Sequence, residues 1–526
     1  MSLGRCTRIS GLALLASLLA LPAAAQSGAL DIDLSGGAYD QLTGLPLTGT
    51  PGRKFLLLVS VVKSPGGAFI PNQTVDVGLE FLDLSLALPG FTGVFNGAGQ
   101  SMAALFVPFI PELDTFPLYF QLFQTGPTGN KLVDKSVVQT LTMQASGTWK
   151  SPRIGTDYVT QRSTHSMTLL PGEKVLTLGG GTGGITTSYG QDSGEMYTLS
   201  DESLAVLPHG MLQPRTGHTA TLLNDGRVLV VGGAEDVQGE PTATAEVYDP
   251  ATGLFSAVGS LVGGPRALHR AVKLDDGRVL ITGGTDNYIS PTDILLGAYK
   301  TTEIFNPVTN TFSAGPSLSK PRLGQTVTRL PNGDMLVAGG YTVVKILFVD
   351  VPVITSDAER YHYVAGGAGS FGNLTTLAHQ HMGHGAASLL NGNVLLVGGA
   401  NGSDPLNPQP ELTWELYDPN FTGTGGIIAQ GPLNDGRILP GVVRLNDGRV
   451  LAAGGAVGSL TSPLPVATAE IWDPATQVST PTGSLHQARA GHETLLLPDG
   501  TVLVSGGGTS DGIGADGLTS LEIYQP

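Results

Sequence analysis

The stretch RTGHTATLLNDGRVLVVGG at residues 215–233, followed by AEVYDPATGLFSAVGSL at 245–261, decides the fold of this chain. Two apolar strands flank Asp225-Gly226, a dipeptide that supplies the positive φ angles of a two-residue hairpin turn. The second strand ends at the pair Gly232-Gly233, and two further strands lie on either side of a turn at Asp249-Pro250. Four short strands joined in this way predict one antiparallel sheet.

The same pattern recurs seven times along the chain. A glycine pair closes the second strand of each copy: Gly179-Gly180, Gly232-Gly233, Gly283-Gly284, Gly339-Gly340, Gly398-Gly399, Gly454-Gly455 and Gly506-Gly507. A glutamate follows each pair, with an aromatic residue two positions later: Glu195/Tyr197, Glu246/Tyr248, Glu303/Phe305, Glu359/Tyr361, Glu415/Tyr417, Glu470/Trp472 and Glu522/Tyr524. Repeats of about 50 residues with four strands each are typical of β-propeller blades. The sequence therefore predicts a ring of seven blades.

Two positions before the second strand hold the same polar residue in most copies, and each set of equivalent residues is called a column here. The arginine column consists of Arg162, Arg215, Arg266, Arg322, Arg437 and Arg489, with His381 in the fifth copy. The histidine column stands three residues later and consists of His165, His218, His269, His384 and His492, with Gln325 and Pro440 as exceptions. A residue repeated around the ring is expected to serve the blade, since an active site should break the symmetry. We predict charge-assisted bonds between the arginines and the repeated glutamates.

These repeats resemble the kelch family, in the form seen in secreted bacterial proteins. The resemblance covers residues 146–526 and implies an all-β, seven-bladed propeller. The seventh copy ends at Pro526, directly after its third strand, so its fourth strand must come from elsewhere. The segment around Trp149, just before the first copy, is predicted to complete this last blade and close the ring.

The region before the repeats is predicted to contain a leader and a smaller domain. Residues 1–25 combine a basic start, a short apolar run and a small-residue cleavage site, as expected for a signal peptide that is removed on export. Residues 26–145 contain apolar or alternating runs at 54–62, 74–81, 101–109, 118–126 and 136–144. Such runs, separated by turn residues, predict a β-sandwich, immunoglobulin-like in topology.

Composition excludes several functions. The net charge of −16 argues against a nucleic-acid partner, because phosphate binding needs clustered lysines and arginines. The one cysteine, Cys6, lies in the leader, so the mature chain is expected to lack disulfides and thiolate metal ligands. No transmembrane segment is expected after cleavage, because the apolar run is shorter than the roughly 20 residues that span a bilayer. We predict no cofactor, and we expect the protein to be secreted, periplasmic or attached to the surface of a bacterial cell.

Two enzyme families resemble the predicted architecture. Galactose oxidase also pairs a β-sandwich with a seven-bladed kelch propeller, and it holds copper with two tyrosines and two histidines, one tyrosine being cross-linked to a cysteine. A mature chain without cysteine cannot form that cross-link, and the family's C-terminal domain, which brings a copper histidine, is not expected after Pro526. Exported sugar epimerases of the kelch type use arginine and glutamate in the channel, whereas here both recur in the copies. No catalytic residue is therefore transferred from either family.

The sharpest local cluster of candidate ligands is His379, His381 and His384. Side chains alternate along a strand, so His379 and His381 point to one face and could bind Zn²⁺ or Cu²⁺ with a third ligand. The alternative is structural: His384 fills the histidine column, and His381 replaces the usual arginine. We favour the structural interpretation, while noting that His381 breaks the pattern.

The loops between second and third strands vary in length, and variable loops on a rigid scaffold are where binding usually occurs. The loop of the fourth copy, 341–358, is unusually apolar and is not expected to stay solvated. We favour packing against the N-terminal sandwich or an extra hairpin, and the alternative is a partner-binding surface. The candidate binding face comprises Asn287, Tyr288, Tyr341, Leu347, Phe348 and Trp414. We predict an exported, non-catalytic binding module whose ligand at this face is a protein or a glycan. The alternative is a carbohydrate-active enzyme, an oxidase or an epimerase, acting at the propeller mouth.

Overall fold

A computed structural model describes residues 147–526, apart from 153–156, 183–188, 236–239, 288–290, 403, 405–406, 424, 460–461 and 510–516, together with strand segments between residues 31 and 142. Contacts between Cα atoms divide the chain into two units, with the boundary between Ser146 and Gly147. The predicted leader lies outside the described residues. Within the described part of the chain, no helix is both long and apolar enough to cross a membrane.

The described strands before Gly147 form antiparallel pairs. Their order is β1–β2–β7 in one sheet and β10–β8–β3–β6 in another, where β9 also pairs with β8, and β4 pairs with β5. Their bounds are β1 (Asp31–Ile32), β2 (Leu42–Thr48), β3 (Lys54–Ser60), β4 (Lys63–Ile70), β5 (Gln73–Val77), β6 (Thr92–Val94), β7 (Gln100–Phe106), β8 (Pro117–Thr125), β9 (Leu132–Lys135) and β10 (Gln139–Thr142). Each of the five predicted runs overlaps one of these strands. The sandwich arrangement stays a prediction.

The first four blades are four-stranded antiparallel sheets. Blade 1 consists of β12 (Ser166–Leu170), β13 (Lys174–Leu178), β16 (Gly194–Thr198) and β17 (Ser203–Val206), with the short pair β14 (Gly181–Thr182) and β15 (Tyr189–Gly190). Blade 2 consists of β18 (Thr219–Leu222), β19 (Val228–Val231), β20 (Ala245–Asp249) and β21 (Leu254–Ala257). Blade 3 consists of β22 (Arg270–Lys273), β23 (Val279–Thr282), β24 (Thr302–Asn306) and β25 (Thr311–Ala314), with helix α1 (Pro291–Leu296) between its second and third strands. Blade 4 consists of β26 (Thr326–Arg329), β27 (Met335–Ala338), β30 (Asp357–His362) and β31 (Ser370–Thr376), with the hairpin β28 (Tyr341–Ile346) and β29 (Val349–Ile354).

The last three blades follow the same plan. Blade 5 consists of β32 (Gly385–Ser388), β33 (Val394–Val397), β36 (Thr413–Asp418) and β37 (Gly426–Pro432), with the pair β34 (Ala400–Asn401) and β35 (Gln409–Pro410) and a 3-10 turn at Phe421–Gly423. Blade 6 consists of β38 (Gly441–Arg444), β39 (Val450–Ala453), β42 (Ala469–Asp473) and β43 (Val478–Thr482), with the pair β40 (Ala456–Ser459) and β41 (Ser462–Pro465). Blade 7 contains β44 (Glu493–Leu496), β45 (Val502–Ser505) and β46 (Leu521–Gln525). The predicted seven-bladed β-propeller is confirmed.

The fourth strand of blade 7 is β11 (Thr148–Lys150), which lies beside β46 at the outer edge of the sheet. Trp149 is 5% exposed, and its ring lies 5.0 Å from that of Tyr524. Its indole Nε1–H donates a hydrogen bond to the carbonyl oxygen of Gly483, at 2.7 Å. The ring of blades is therefore closed by a strand that precedes blade 1 in the sequence and pairs with the last strand of blade 7.

The hydrophobic core is divided among the interfaces between neighbouring blades. The second strand of each blade is apolar, as in Val228–Val231, and is buried on both faces because each face packs against a neighbouring blade. Residues of blades 2 and 3, for example Leu229 and Ile281, form one cluster, and equivalent clusters occupy the other six interfaces. The fourth strands, such as Leu254–Ala257, are mostly exposed. Continuous apolar second strands and polar outer strands are thus the consequence of radial packing.

The first position of each pair must be glycine because the next blade lies too close to leave room for a side chain. Gly179 has a φ angle of +56°, in the left-handed region that favours glycine. A Cβ atom there would lie 2.5 Å from the carbonyl oxygen of Arg215 and 2.8 Å from the ring of His218. The glycine pair therefore ends a strand and at the same time admits the arginine and histidine columns of the following blade.

Candidate functional site

The arginine column and the repeated glutamates form buried ion pairs within each blade. In blade 2, Nε of Arg215 donates to Oε1 of Glu246 at 2.9 Å. One terminal nitrogen of Arg215 donates to the carbonyl oxygen of Gly232 at 2.6 Å, and Glu246 in turn accepts the backbone N–H of Leu212 at 2.7 Å. Arg215 and Glu246 are both 1% exposed. The arrangement thus anchors the strand end and the loop that leads into the same blade.

The pairing repeats around the ring. The seven pairs are Arg162–Glu195, Arg215–Glu246, Arg266–Glu303, Arg322–Glu359, His381–Glu415, Arg437–Glu470 and Arg489–Glu522. Each arginine also donates to the carbonyl oxygen of the first glycine of the pair in its own blade, which makes these side chains part of the scaffold. Such pairs are costly to break because one charge is then left buried without its partner.

We expect Arg215→Met to lower the free energy of unfolding by about 3–5 kcal/mol, since the Glu246 carboxylate stays buried without its counter-charge. Chemical denaturation at pH 7 measures the effect. The matched control is Arg449→Met, which breaks an exposed pair with Asp447 and should cost less than about 1 kcal/mol. Adding Glu246→Leu to Arg215→Met should restore part of the loss. Equal stability of the two single variants would show that the buried pair is not a structural anchor.

Histidines of the column link blades 1, 2, 3 and 5 to the preceding blade. Nε2 of His218 lies 2.9 Å from the hydroxyl oxygen of Ser166 in blade 1, and Nε2 of His269 lies 2.8 Å from that of Thr219 in blade 2. Gln325 serves blade 4 in the same way, by donating to the carbonyl oxygen of Thr282 at 3.1 Å. Burial lowers the pKa of His218 to about 3, with a smaller effect of the Arg215 charge. These imidazoles are therefore neutral structural groups.

The central channel is the main cavity of the described propeller. It has a volume of about 640 Å³ and is lined by residues from the first strands of all seven blades. A depression of about 460 Å³ at the outer edge of blade 5, between Thr375 and Ile427, is lined by no titratable side chain among the described residues. The channel is thus the better candidate for a ligand site, because it is deep and is lined by polar and ionisable side chains.

One position in the channel breaks the sevenfold symmetry. The residue that follows the histidine column is Ser166, Thr219, Arg270, Thr326, Gly385, Gly441 or Glu493 in the successive blades. Two of these seven are charged, and they lie in blades 3 and 7. Burial raises the pKa of Glu493 to about 7, and the positive charge of Arg270 opposes this shift only in part. Glu493 is therefore close to half-protonated at neutral pH.

Sequence reasoning missed Arg270 and Glu493, because it searched for the residues that repeat. A signal was present, since the position after the histidine column contains small or hydroxyl residues in five copies and charged residues in two. Aligning the copies and looking for the odd residue would have found both. What the alignment does not give is the raised pKa of Glu493, because this results from burial.

One end of the channel is apolar. Leu323, Met382 and Ile438 form a buried cluster there with Leu295 of α1 and Tyr341 of β28. Leu295 and Tyr341 also line the channel. The insertions of blades 3 and 4 thus supply an apolar surface beside the polar ring, and a bound ligand would meet both.

The structure separates the three histidines of the predicted cluster. His384 turns to blade 4, where its Nε2 lies 2.8 Å from the hydroxyl oxygen of Thr326. His379 and His381 instead meet Glu415: Nδ1 of His379 and Nε2 of His381 lie 2.9 and 3.1 Å from its Oε1. The three residues His379, His381 and Glu415, called here the blade 5 triad, bring their ligand atoms within 4.8 Å of one another.

The predicted binding-face residues have different fates. Trp414 was expected in a loop but lies in β36, 2% exposed, with its ring packed 5.4 Å from Trp472. Tyr341 is also 2% exposed, so neither residue is free to bind a partner at the variable-loop face. Trp414 is buried between blades 5 and 6, whereas Tyr341 is buried in the apolar cluster at the end of the channel.

Four other residues of the predicted face remain. Leu347 and Phe348 form the tip of the β28–β29 hairpin, 88% and 96% exposed, and both have positive φ angles. Asn287 is half-buried, and its backbone N–H donates to the hydroxyl of Thr285 at 3.2 Å. Tyr288 lies outside the described residues. A protein or glycan ligand at this face stays a prediction, with the hairpin tip as its apolar contact.

Comparison with known proteins places the fold. One similar solved structure is a novel fungal alcohol oxidase of the AA5 family in complex with copper, with a TM-score of 0.52 and 18% identity over 70% of this chain and 75% of the oxidase. Another is YjhT, with a TM-score of 0.41 and 15% identity over 69% of this chain and 95% of that chain. No family model and no curated protein matches the chain. The likeness to the oxidase shows a propeller of the galactose oxidase-like fold and nothing about activity.

Proposed function

We propose that the protein is an exported, non-catalytic binding module that takes a small polyhydroxylated ligand, of the glycan class, into its central channel. The observation that carries the proposal is the pair Arg270 and Glu493, the two charged side chains at a channel position that is otherwise filled by serine, threonine or glycine. Residues that depart from the repeat are not needed by the blade, so their chemistry is available to a ligand.

The polar groups of the channel suit hydroxyl-rich ligands. Arg270 offers N–H donors, although its Nε already donates to the carbonyl oxygen of Gln325 at 3.1 Å. Glu493, with a pKa of about 7, offers both an acceptor and, when protonated, a donor. Sugar hydroxyls donate and accept together, and the apolar end formed by Leu295 and Met382 would contact their C–H faces. A volume of about 640 Å³ lies within the range of small-molecule sites.

Glu493 lowers the stability of the propeller at neutral pH, which supports a role for this residue other than in folding. Its carboxyl has a pKa of about 7 in the propeller against an ordinary value of 4.5. The unfolded chain therefore releases this proton at lower pH than the folded chain does. The resulting destabilisation is absent below pH 4.5, grows from there to pH 7, and is complete above it. A half-buried carboxyl that weakens the fold at neutral pH is more readily explained by ligand binding than by packing.

We predict that Glu493→Gln stabilises the propeller by about 3 kcal/mol above pH 7 and leaves its stability unchanged below pH 4.5. The same variant should weaken glycan binding by at least about tenfold, because a hydrogen bond to a charged group contributes about 1.5–3 kcal/mol. Urea denaturation at pH 8 and at pH 4.5 measures the first effect. Calorimetric titration with a panel of mono- and oligosaccharides measures the second.

The control for these measurements is Glu235→Gln, a change at an exposed carboxylate outside the channel. It should alter neither stability nor affinity. The proposal fails if no glycan binds to the wild-type chain, or if both Glu493→Gln and Arg270→Gln retain full affinity.

One observation favours a second candidate, a carbohydrate-active enzyme. A carboxyl with a pKa of about 7 is suited to general acid–base catalysis at neutral pH, since it can give and take a proton with equal ease. Incubating the purified full chain with sugars and alcohols distinguishes the two functions. Robust turnover that is lost in Glu493→Gln would show that the protein is an enzyme and not a non-catalytic binding module.

A further inference from the structure

Blade 5 differs from the other six blades at its buried ion pair. His381 stands where they have arginine, and its Nδ1–H donates to the carbonyl oxygen of Gly398 at 2.7 Å, as the arginines do to the equivalent glycines. His379, two residues earlier, adds a second imidazole that has no counterpart in the other blades, which have Thr160, Gln213, Gly264, Lys320, Asp435 and Gln487 there. Two independent departures from the repeat therefore converge on one carboxylate, that of Glu415.

The ligand atoms of the blade 5 triad are spaced for a metal ion. Ligands of a tetrahedral Zn²⁺ ion at about 2.0–2.1 Å from the metal lie about 3.3 Å from one another. Nδ1 of His379 and Nε2 of His381 lie 2.9 and 3.1 Å from Oε1 of Glu415, and all three ligand atoms lie within 4.8 Å of one another. Shifts of a few tenths of an ångström at the carboxylate, with some rotation of His379, bring the three to that spacing.

The surroundings of the triad orient it. The hydrogen bond from Nδ1–H of His381 to Gly398 fixes the ring so that Nε2 faces the carboxylate, which is the usual second-sphere support of a histidine ligand. Oε2 of Glu415 accepts the backbone N–H of Ala378 at 3.0 Å, which holds the carboxylate in place. His381 and Glu415 are fully buried, whereas the side chain of His379 is 35% exposed. An ion can therefore enter from the side of His379.

We propose that His379, His381 and Glu415 bind a divalent transition-metal ion, with Zn²⁺ as the best match. Two imidazoles and one carboxylate are a ligand set that zinc prefers, and the fourth position faces the solvent side, where a water molecule completes the coordination. Softer and harder ions are less suited: Cu(I) is softer and selects thiolates and thioethers, and Ca²⁺ and Mg²⁺ are harder and select oxygen ligands. The inference is independent of ligand binding in the channel.

Without metal, the imidazole of His381 takes the place of the guanidinium of the other blades. Its Nδ1–H donates to the carbonyl oxygen of Gly398, and its Nε2 faces the carboxylate of Glu415. Binding of Zn²⁺ would put the metal between Nε2 and this carboxylate.

The test uses substitutions that the protein already contains in other blades. His381→Arg introduces the residue of blades 1–4, 6 and 7, and His379→Gln introduces the residue of blades 2 and 7, so both variants should fold. His384→Gln, which copies Gln325 of blade 4, changes the one nearby histidine that points away from the triad. Untagged full chain, freed of metal with a chelator, is titrated with ZnCl₂ at pH 7.5 by calorimetry. Melting temperatures are measured with and without ZnCl₂.

We expect one Zn²⁺ per wild-type chain, with a dissociation constant in the micromolar range or below and a higher melting temperature in the presence of zinc. His381→Arg and His379→Gln should each weaken binding at least about 100-fold and abolish the zinc-dependent rise in melting temperature, with folding intact without metal. His384→Gln should bind zinc like the wild type. The proposal is overturned if the wild-type chain binds no zinc, or if it and His381→Arg bind equally well.

Discussion

Acidification from pH 7 to pH 5 is expected to destabilise the propeller steeply. Burial lowers the pKa of His218 and His492 to about 3, and it holds the pKa of His165, His269 and His384 well below the usual value of 6.5. The unfolded chain takes up protons at these rings below pH 6.5, whereas the folded chain does not. Stability is therefore complete above pH 6.5 and is lost as the pH falls toward 3.

The expected loss of stability follows from the lowered pKa values of the histidines. Each histidine whose pKa falls to about 3 contributes about 2 kcal/mol of destabilisation between pH 7 and pH 5. Glu493 acts in the opposite direction and offsets about one histidine, because its carboxyl becomes protonated in the folded state first. The lowered pKa values of His165, His269 and His384 add to the loss in the same direction. Urea denaturation at pH 7, 6 and 5, followed by tryptophan fluorescence, measures the loss.

The control for the acid effect is His218→Gln, since glutamine already serves this position in blade 4. The variant should recover about 2 kcal/mol of the loss between pH 7 and pH 5, because one titrating ring is removed. If its stability falls with pH as steeply as that of the wild type, the histidine column is not the source of the acid sensitivity.

Removal of residues 26–152 should destabilise the propeller far more than removal of residues 26–140. The longer deletion takes β11 and leaves β46 with an unpaired edge. It also removes Trp149, which is 5% exposed, packs against Tyr524 and donates to Gly483. Loss of a buried tryptophan alone costs about 3–5 kcal/mol, and the lost strand pairing adds to it. Thermal melting of the two truncated chains, monitored by circular dichroism, measures the difference.

A point variant isolates the contribution of the side chain. Trp149→Ala in the full chain should reproduce most of the difference between the two truncations without changing chain length. Equal melting temperatures for the two truncated chains would rule out β11 as the strand that closes the ring.

Much of the fold was accessible from the sequence because its signals are local. Asp225-Gly226 specifies a hairpin turn and Gly232-Gly233 ends a strand, whatever the rest of the chain does. Seven repetitions of such signals leave the propeller as the architecture that buries both faces of every second strand. The all-β class and the seven blades are confirmed on this basis, while export and the boundaries of the N-terminal domain stay predictions.

The candidate sites were less accessible, because each depends on contacts between residues that lie far apart in the chain. Arg270 and Glu493 are far apart in the chain and share a channel only because the first strands of all blades surround one axis. Similarly, Glu415 joins His379 and His381 through a strand that follows them by more than 30 residues. Trp414 was misplaced for the same reason, since its burial depends on Trp472 of the next blade.

The sequence by itself determined the repeat, the turns and the identity of the residues that depart from the repeat. Those properties depend on backbone conformation and on composition at fixed spacing, which are local. The tertiary structure alone decided which departures meet, how deeply they are buried and therefore how they titrate. The pKa of about 7 for Glu493 results from desolvation, and the spacing of the blade 5 triad results from distances within a folded blade; neither is encoded at any single position in the chain.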